Sequence, residues 1–245
     1  MNKLSERQEQ ILALLETRRS LRVTELSKLL YTSPSSIRRD LCRLENLRLL
    51  HRTHGGAEAQ GELQGAIPLN VRMTKNTAAK RLIAKKASVF LSEGQNIMLD
   101  GSSTASFMLP YIAPFKKVTV FTNSMITAQS AIAYGIDTHC IGGRSVDGSA
   151  VLAGEEAYRT VSALCPDLLF FSSQSLDASG VISDSTEEEN HLRALMIANA
   201  KTRVFLCDSE KFNKRSLHRL TSLTELDAAV FDTPFAAVEG MCKIL

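Results

Sequence analysis

The chain has 245 residues, 44% of them hydrophobic, with 29 Lys and Arg set against 26 Asp and Glu. That length suits one large domain or a small one plus a medium one. No apolar run approaches the ~18 residues of a membrane span, and the opening Met1-Asn2-Lys3 lacks a hydrophobic signal core, so a cytoplasmic protein without membrane contact is expected. The five cysteines (Cys42, Cys140, Cys165, Cys207, Cys242) are odd in number and never spaced C-x-x-C, which argues against a disulfide framework and a zinc site and leaves reduced thiols, mostly as packing groups.

The net charge of +3 divides unevenly: residues 1–57 carry +5 and residues 58–245 carry −2. A basic excess confined to the first quarter favours an anionic partner there, nucleic acid first. In chain order, Ser5-Glu6-Arg7-Gln8 is a capping-box pattern, and Ile11, Leu14 and Leu15 follow at helical spacing, predicting a helix over Glu6–Arg18. Leu21-Arg22-Val23 reads as a short strand. Thr24 reads as the cap of a second helix with Leu26, Leu29 and Leu30 inward, stopping near Tyr31. Ser33 suits an N-cap and Pro34 the first helical position, where a proline forfeits no hydrogen bond, so a third helix starts there.

In that third helix Ile37, Leu41 and Leu44 face the core, which places Ser35, Arg38, Arg39 and Cys42 on an outward stripe. A helix of this kind fits the DNA major groove, and an arginine matches the O6 and N7 of guanine. Leu49–Thr53 reads as a strand turning at His54-Gly55-Gly56, whose glycines tolerate positive φ, giving a wing with Arg52 and His54 beside the phosphates. The DNA-contact candidates are therefore Ser35, Ser36, Arg38, Arg39, Arg43, Arg52 and His54. Each arginine taken singly is most economically a solvated helix residue, and His54 serves a turn as readily as a phosphate. The combination of short helices, proline start, glycine-tipped hairpin and local basic excess favours double-stranded DNA as the partner.

The run Ser33-Pro34-Ser35-Ser36-Ile37-Arg38-Arg39-Asp40-Leu41, then Leu44 and Arg52-Thr53-His54-Gly55-Gly56-Ala57, resembles the helix-turn-helix signature of the DeoR family of bacterial repressors. Two residues depart from it: Ser36 stands where threonine is usual, keeping the hydroxyl, and Arg48 stands where glycine leads into the wing. The resemblance implies that Arg38 and Arg39 sit on the recognition helix and that Asp40 organises neighbouring basic groups.

Residues 58–76, with Gly61 and Gly65 and no periodicity, read as a linker between a DNA-binding domain (1–57) and a second domain (77–245). From Ala78 a helical pattern carries Leu82, Ile83, Ala87 and Phe90. Strand candidates then follow at Asn96–Leu99, Val118–Thr122, Thr138–Ile141, Leu168–Ser172, Val204–Cys207 and Ala228–Phe231. Such uniformly apolar runs separated by helices predict an α/β fold with parallel strands buried on both faces.

Ligands of open α/β sheets bind beyond the carboxyl ends of the strands. Asp100-Gly101-Ser102-Ser103-Thr104 follows the first strand, and small hydroxyl residues at a helix start suit a phosphate. Thr122-Asn123-Ser124, Gly142-Gly143-Arg144, Ser172-Ser173-Gln174 and Asp208-Ser209-Glu210-Lys211 follow others. The binding candidates are Asp100 for sugar hydroxyls, Ser102, Ser103, Thr104, Thr122, Asn123, Gly142, Gly143, Glu189 at the pocket edge of an acidic helix start, and Lys211 as a point charge. Plain turns and caps account for each of these equally well in isolation.

Lys80, Ile83-Ala84, Leu99-Asp100, Ser103-Thr104, Thr122-Asn123, Gly142-Gly143, Gly154, Gly180, Asp208 and Lys211 also match the DeoR family, in its sensor domain. The resemblance implies a fold like that of ribose-5-phosphate isomerase and CoA transferases and an effector that is a phosphorylated sugar. Ser102 replaces a glycine usual in that loop, and Ser172-Ser173-Gln174 stands where a Gly-Ala-Asp-like segment is common. An isomerase or deaminase using Asp100 and Glu189 as acid and base is the weaker alternative, since nothing in the sequence brings them to one proton. The expected protein is a repressor without catalytic, metal or cofactor chemistry. It is expected to be a homo-oligomer, dimer or tetramer, because one such module makes too few base contacts for genomic specificity.

Overall fold

The computed structural model describes residues 5–18, 20–46, 49–59, 69–146 and 148–245. They fall into two compact units, Met1–Gly65 and Ala66–Leu245.

In the first unit α1 (Glu6–Arg18) is followed by β1 (Ser20–Arg22), α2 (Val23–Leu29), α3 (Pro34–Asn46), β2 (Leu50–Thr53) and β3 (Gly56–Ala59), the strands forming an antiparallel sheet in the order β1-β3-β2. The expected capping box closes α1: the Ser5 amide donates to Gln8 Oε1 at 3.1 Å and the Gln8 amide to Ser5 Oγ at 3.3 Å. Ser33 Oγ accepts from the Ser36 amide at the start of α3. Thr24 does not cap α2; the N-cap is Arg22, two residues earlier, whose amide donates to Glu25 Oε2 at 2.7 Å. Ile11, Leu15, Leu26, Ile37, Leu41, Leu44 and Leu50 form one core, all essentially buried.

The wing turns at His54-Gly55, but neither Gly55 nor Gly56 has positive φ. Gly56 is required for another reason: a Cβ there would stand 2.2 Å from the Leu21 carbonyl oxygen, inside the β1–β3 pairing. Residues read as linker are ordered at both margins, Glu58 and Ala59 within β3 and Leu69–Arg72 as the helix α4. The rest of that stretch, 60–68, and Arg48 lie outside the described residues.

The second unit continues with α5 (Thr77–Ala87), β4 (Asn96–Leu99), α6 (Ser103–Ser106), α7 (Leu109–Ile112), β5 (Thr119–Thr122), α8 (Met125–Ala133), β6 (Asp137–Cys140), β7 (Arg144–Ser145), β8 (Leu152–Ala153), α9 (Glu155–Ser162) and β9 (Leu168–Phe171). It ends with β10 (Ser175–Leu176), β11 (Val181–Asp184), α10 (Glu187–Asn199), β12 (Thr202–Cys207), β13 (His218–Ser222), β14 (Ala228–Phe231) and β15 (Lys243–Ile244). Seven strands form a wholly parallel sheet in the order β15-β14-β12-β9-β4-β5-β6.

Side chains alternate across that sheet with period two. Ile97, Leu99, Leu168, Phe170, Val204 and Leu206 pack with Ile83, Ala84 and Ala87 of α5 and with Leu109 and Ile112 of α7. Met98, Leu169, Phe171, Phe205 and Cys207 pack with Val161 of α9 and Leu192 and Met196 of α10. Because both faces are covered, the central strands read as unbroken apolar runs. The edge strand β6 differs from the expectation, leaving Asp137, His139 and Cys140 exposed, and Leu82 of α5 points outward at 42% exposure. The paired short strands β7 and β8, the antiparallel sheet β10-β11-β13 and the edge strand β15 were not anticipated. All five cysteines are free thiols, but only Cys207 is fully buried, so packing does not describe most of them.

Candidate functional site

In the first unit, α3 exposes Ser35, Arg38, Arg39, Cys42 and Arg43 on the side away from Ile37, Leu41 and Leu44. Ser36 is half-buried and bonded to Ser33 Oγ, and Arg39 Nη2 donates to Ser36 Oγ at 3.3 Å. Asp40 is buried on the opposite stripe, where it accepts from Arg7 Nε and from Gln8 Nε2, tying α3 to α1. Arg38 and Arg43 thus stand free of that core-side network, at the surface of a helix with the geometry of a groove reader. On the wing His54 is exposed, and Arg52 donates to Glu45 through its amide and guanidinium at 3.1 and 3.4 Å. That pairing holds Arg52 against α3, a contact the sequence did not suggest.

In the second unit the chain runs outward from β4 to β5 and β6, then returns to β9 on the other side of β4 and runs the opposite way through β12, β14 and β15. The reversal lies between β4 and β9. Loops leaving these two strands part in opposite directions, and open α/β sheets bind ligands at such a switch point. A cleft of about 170 Å³ lies there, lined by Ser102 and Ser103 after β4, Ser172, Ser173 and Gln174 after β9, and Asp208, Glu210, Lys211 and Lys214 after β12. Arg72, Lys75, Asn76 and Lys80 close it from α4 and α5, and Asp184, Glu189 and Arg193 from β11 and α10.

The cleft has two electrostatic sides. Arg193 is buried and reaches Asp100 Oδ2 at 2.9 Å, Asp184 Oδ2 at 3.1 Å and Glu189 Oε2 at 3.5 Å. The same lining carries Arg72, Lys75, Lys80, Lys211 and Lys214, only partly offset by Asp208 and Glu210. Lys211 Nζ donates to Ser172 Oγ at 2.8 Å and lies 3.4 Å from Asp208. Burial, and then the like charge of Lys211, lower the Lys80 ammonium to about 8. Burial raises the Glu189 carboxyl, opposed by Arg193 and Arg72. An anion placed between the lysines relieves their mutual repulsion.

Of the residues singled out from sequence, Ser102, Ser103, Glu189 and Lys211 line this cleft, while Asp100 and Asn123 line a small adjoining recess with Gly101, Glu189 and Arg193. Asp100 has no oxygen to spare for a sugar hydroxyl, since Oδ1 accepts from the Ser102 amide and hydroxyl and Oδ2 from the Ser172 amide and Arg193. Asn123 donates to the Leu152 carbonyl and keeps a buried Oδ1 without a partner. Thr104, Thr122, Gly142 and Gly143 lie outside the cleft lining. Thr104 is fully buried, and Thr122 Oγ1 accepts the Ser124 amide. Gly143, at φ 138, has the Ala153 carbonyl oxygen 2.5 Å from where a Cβ would stand.

The helix start after β4 also differs from the expectation: α6 is one turn long, and the Ser102 hydroxyl caps it by accepting the Ala105 amide at 3.1 Å. Sequence reasoning missed Arg193, the hub of the carboxylate wall, and Arg72 of α4, and it named Lys80 of α5 as a match to the sensor domain without placing it among the binding residues. Its one available signal was the spacing of Glu189 and Arg193, four apart on one helix.

The DeoR-like helix-turn-helix domain model matches residues 7–62 and the DeoR C terminal sensor domain model residues 75–233. The chain belongs to the DeoR family of transcriptional regulators. This DeoR-family chain is 30% identical over 244 residues to a putative aga operon transcriptional repressor of Escherichia coli O157:H7, covering 98% of this chain and 91% of that one. It is 33% identical to the L-fucose operon activator of Haemophilus influenzae, covering 92% and 91%. Among solved structures, ribose 5-phosphate isomerase A of Methanocaldococcus jannaschii aligns with a TM-score of 0.42 at 16% identity, over 56% of this chain and 55% of that one. The helix-turn-helix makes this family member a DNA-binding regulator, and among the described residues no helix is long and apolar enough to cross a membrane.

Proposed function

We propose that this DeoR-family chain represses a carbohydrate operon, that it grips the operator through Arg38, Arg39 and Arg43 of α3 with Arg52 and His54 of the wing, and that a phosphorylated sugar in the cleft of the second unit controls that grip. The observation that carries the reading is the convergence of Lys80, Lys211 and Lys214 on the serine-lined rim at the β4–β9 reversal. A dianion there meets several positive charges and the hydroxyls of Ser102, Ser103 and Ser173, while the carboxylate wall selects a polyhydroxylated body. Relatives whose names assign them to the aga and L-fucose operons support a carbohydrate regulon.

No chemistry is assigned to the site. Asp100 and Glu189, the pair that an isomerase would use, are both engaged by Arg193, so neither is poised over a substrate proton. The regulator works in the cytoplasm as a homo-oligomer, dimer or tetramer, which doubles the base contacts one module makes.

The test is a panel of sugar phosphates and the matching free sugars, read by thermal shift and by fluorescence anisotropy on operator DNA selected from a random pool. A cognate sugar phosphate at about 100 times its Kd stabilises the chain by roughly 2.7 kcal/mol and changes operator affinity, and the free sugar does neither. Lys211→Ala binds operator as wild type does and loses the response. Stabilisation by free sugars alone, or turnover of any sugar phosphate, overturns the proposal.

A further inference from the structure

Arg72, Lys75 and Asn76 line the cleft themselves, and the Lys80 side chain ties the cleft to their backbone. Lys80 is 4% exposed, and its ammonium donates to two main-chain carbonyls, those of Arg72 and Lys75. These carbonyls close the end of α4 and the turn after it, the first described backbone beyond residues 60–68. Asn76, held at φ 52, joins that turn to α5, and its side-chain amide donates to Asp208 Oδ1 at 3.3 Å on the cleft rim. An ammonium has three donors. Two are spent on the carbonyls, and Lys80 lines the cleft, where the third is available to a ligand.

We infer that Lys80 is the residue through which a filled cleft locks residues 69–76: an anion bound in the cleft takes the third donor of the Lys80 ammonium, and the other two clamp the Arg72 and Lys75 carbonyls. The inference rests on the reading of the cleft as an anion site and adds how its occupancy reaches the chain segment that connects to the DNA-binding unit. Burial and the neighbouring charge of Lys211 work against the Lys80 ammonium while the cleft lacks an anion. The opposite charge of a phosphate offsets both. The ammonium then persists as a full charge, and its hydrogen bonds to the two carbonyls gain strength. The coupling such a contact must supply is that typical between sites, about 5–150-fold.

Hydrogen exchange on the full-length protein, with inorganic phosphate as the probe, tests this. Saturating phosphate slows exchange of the amides in 69–76 by about fivefold or more, the lower end of that coupling range. Lys211→Met needs more phosphate for saturation but shows the same slowing once saturated. Lys80→Met needs more phosphate for saturation, followed as a thermal shift, and once saturated its 69–76 exchange does not respond. Phosphate binding to wild type with no change in 69–76 overturns the role of Lys80 and leaves the cleft reading intact. Retention of the slowing in Lys80→Met also overturns it. Absence of any phosphate binding to wild type overturns the cleft reading itself and this inference with it. If Lys80→Met does not fold, Lys80→Gln takes its place, and absence of slowing in wild type overturns the role of Lys80 in either case.

Discussion

Arg193 brings one positive charge into the interior beside Asp100, Asp184 and Glu189, all of them nearly inaccessible to solvent. Removing one member of a buried ion cluster strands the others, at about 3–5 kcal/mol. Arg193→Met therefore lowers the denaturant midpoint of the second unit by an amount corresponding to that loss, measured by urea unfolding. Lys80 supplies a signed pH dependence. Its pKa of about 8 in the folded chain is below the ordinary 10.5, so the unfolded chain binds more protons between those values. Its penalty is full below pH 8 and fades above, which makes stability rise with pH from about 8 to 10.5. Arg72 and Lys211 sharpen the effect and Asp208 and Glu210 blunt it. Lys80→Met loses that rise, as parallel unfolding curves at pH 7.5 and 10 are expected to record. In the sequence Lys80 stood out only as a match to the sensor domain, and Arg193 not at all. An arginine in a helix is ordinarily a solvent residue, and only tertiary packing sets Arg193 beside carboxylates from β11 and the loop after β4.

At the level of elements, the recognition helix and the wing make separable demands. Arg38→Ala and Arg39→Ala each weaken operator binding, by about 1–3 kcal/mol where the arginine reads a base, with relaxed preference at that base pair. Anisotropy titrations on operator and random DNA tell the two roles apart, because a phosphate contact weakens both equally. Gly56→Ala drives a Cβ to 2.2 Å from the Leu21 carbonyl oxygen, so β1 and β3 must separate. Overpacking of this kind costs about 1–3 kcal/mol, and it shows as a lower unfolding midpoint for the first unit with the second unchanged. The helices α1 and α3 and the wing were legible because caps, proline and hydrophobic spacing agree locally. The central strands were legible because two covered faces leave no polar positions in them. The sheet β10-β11-β13 was hidden: His218-Arg219-Leu220-Thr221-Ser222 carries one apolar residue, and the polar side chains of Ser173, Ser175 and Ser183 find partners only after folding. The Thr24 cap failed because Glu25 offers a carboxylate to the Arg22 amide, one position the pattern did not weigh.

Across the whole molecule, the basic excess of residues 1–57 pointed to the unit that carries the DNA-binding helix-turn-helix, and the rule for strand carboxyl ends pointed to the rim of the sheet where the cleft lies. It did not say which loops reach the cleft. That is decided by the β4–β9 reversal, which draws in the loops after β9 and β12 and leaves Gly142-Gly143, after the far strand β6, outside. The same strand order has a kinetic consequence. Strand β9 must find β4 some seventy residues upstream, Leu168 pairing beside Ile97, whereas every strand pairing of the first unit closes within forty residues, as Ser20 with Glu58. Non-local parallel pairing forms slowly because loop-closure entropy must be met before the contacts return it. Stopped-flow refolding is expected to resolve a fast phase in which the helix-turn-helix unit forms and a slower one in which the sheet assembles. A newly made chain would then pass through a period in which the helix-turn-helix unit is complete while the cleft at the β4–β9 reversal has yet to exist.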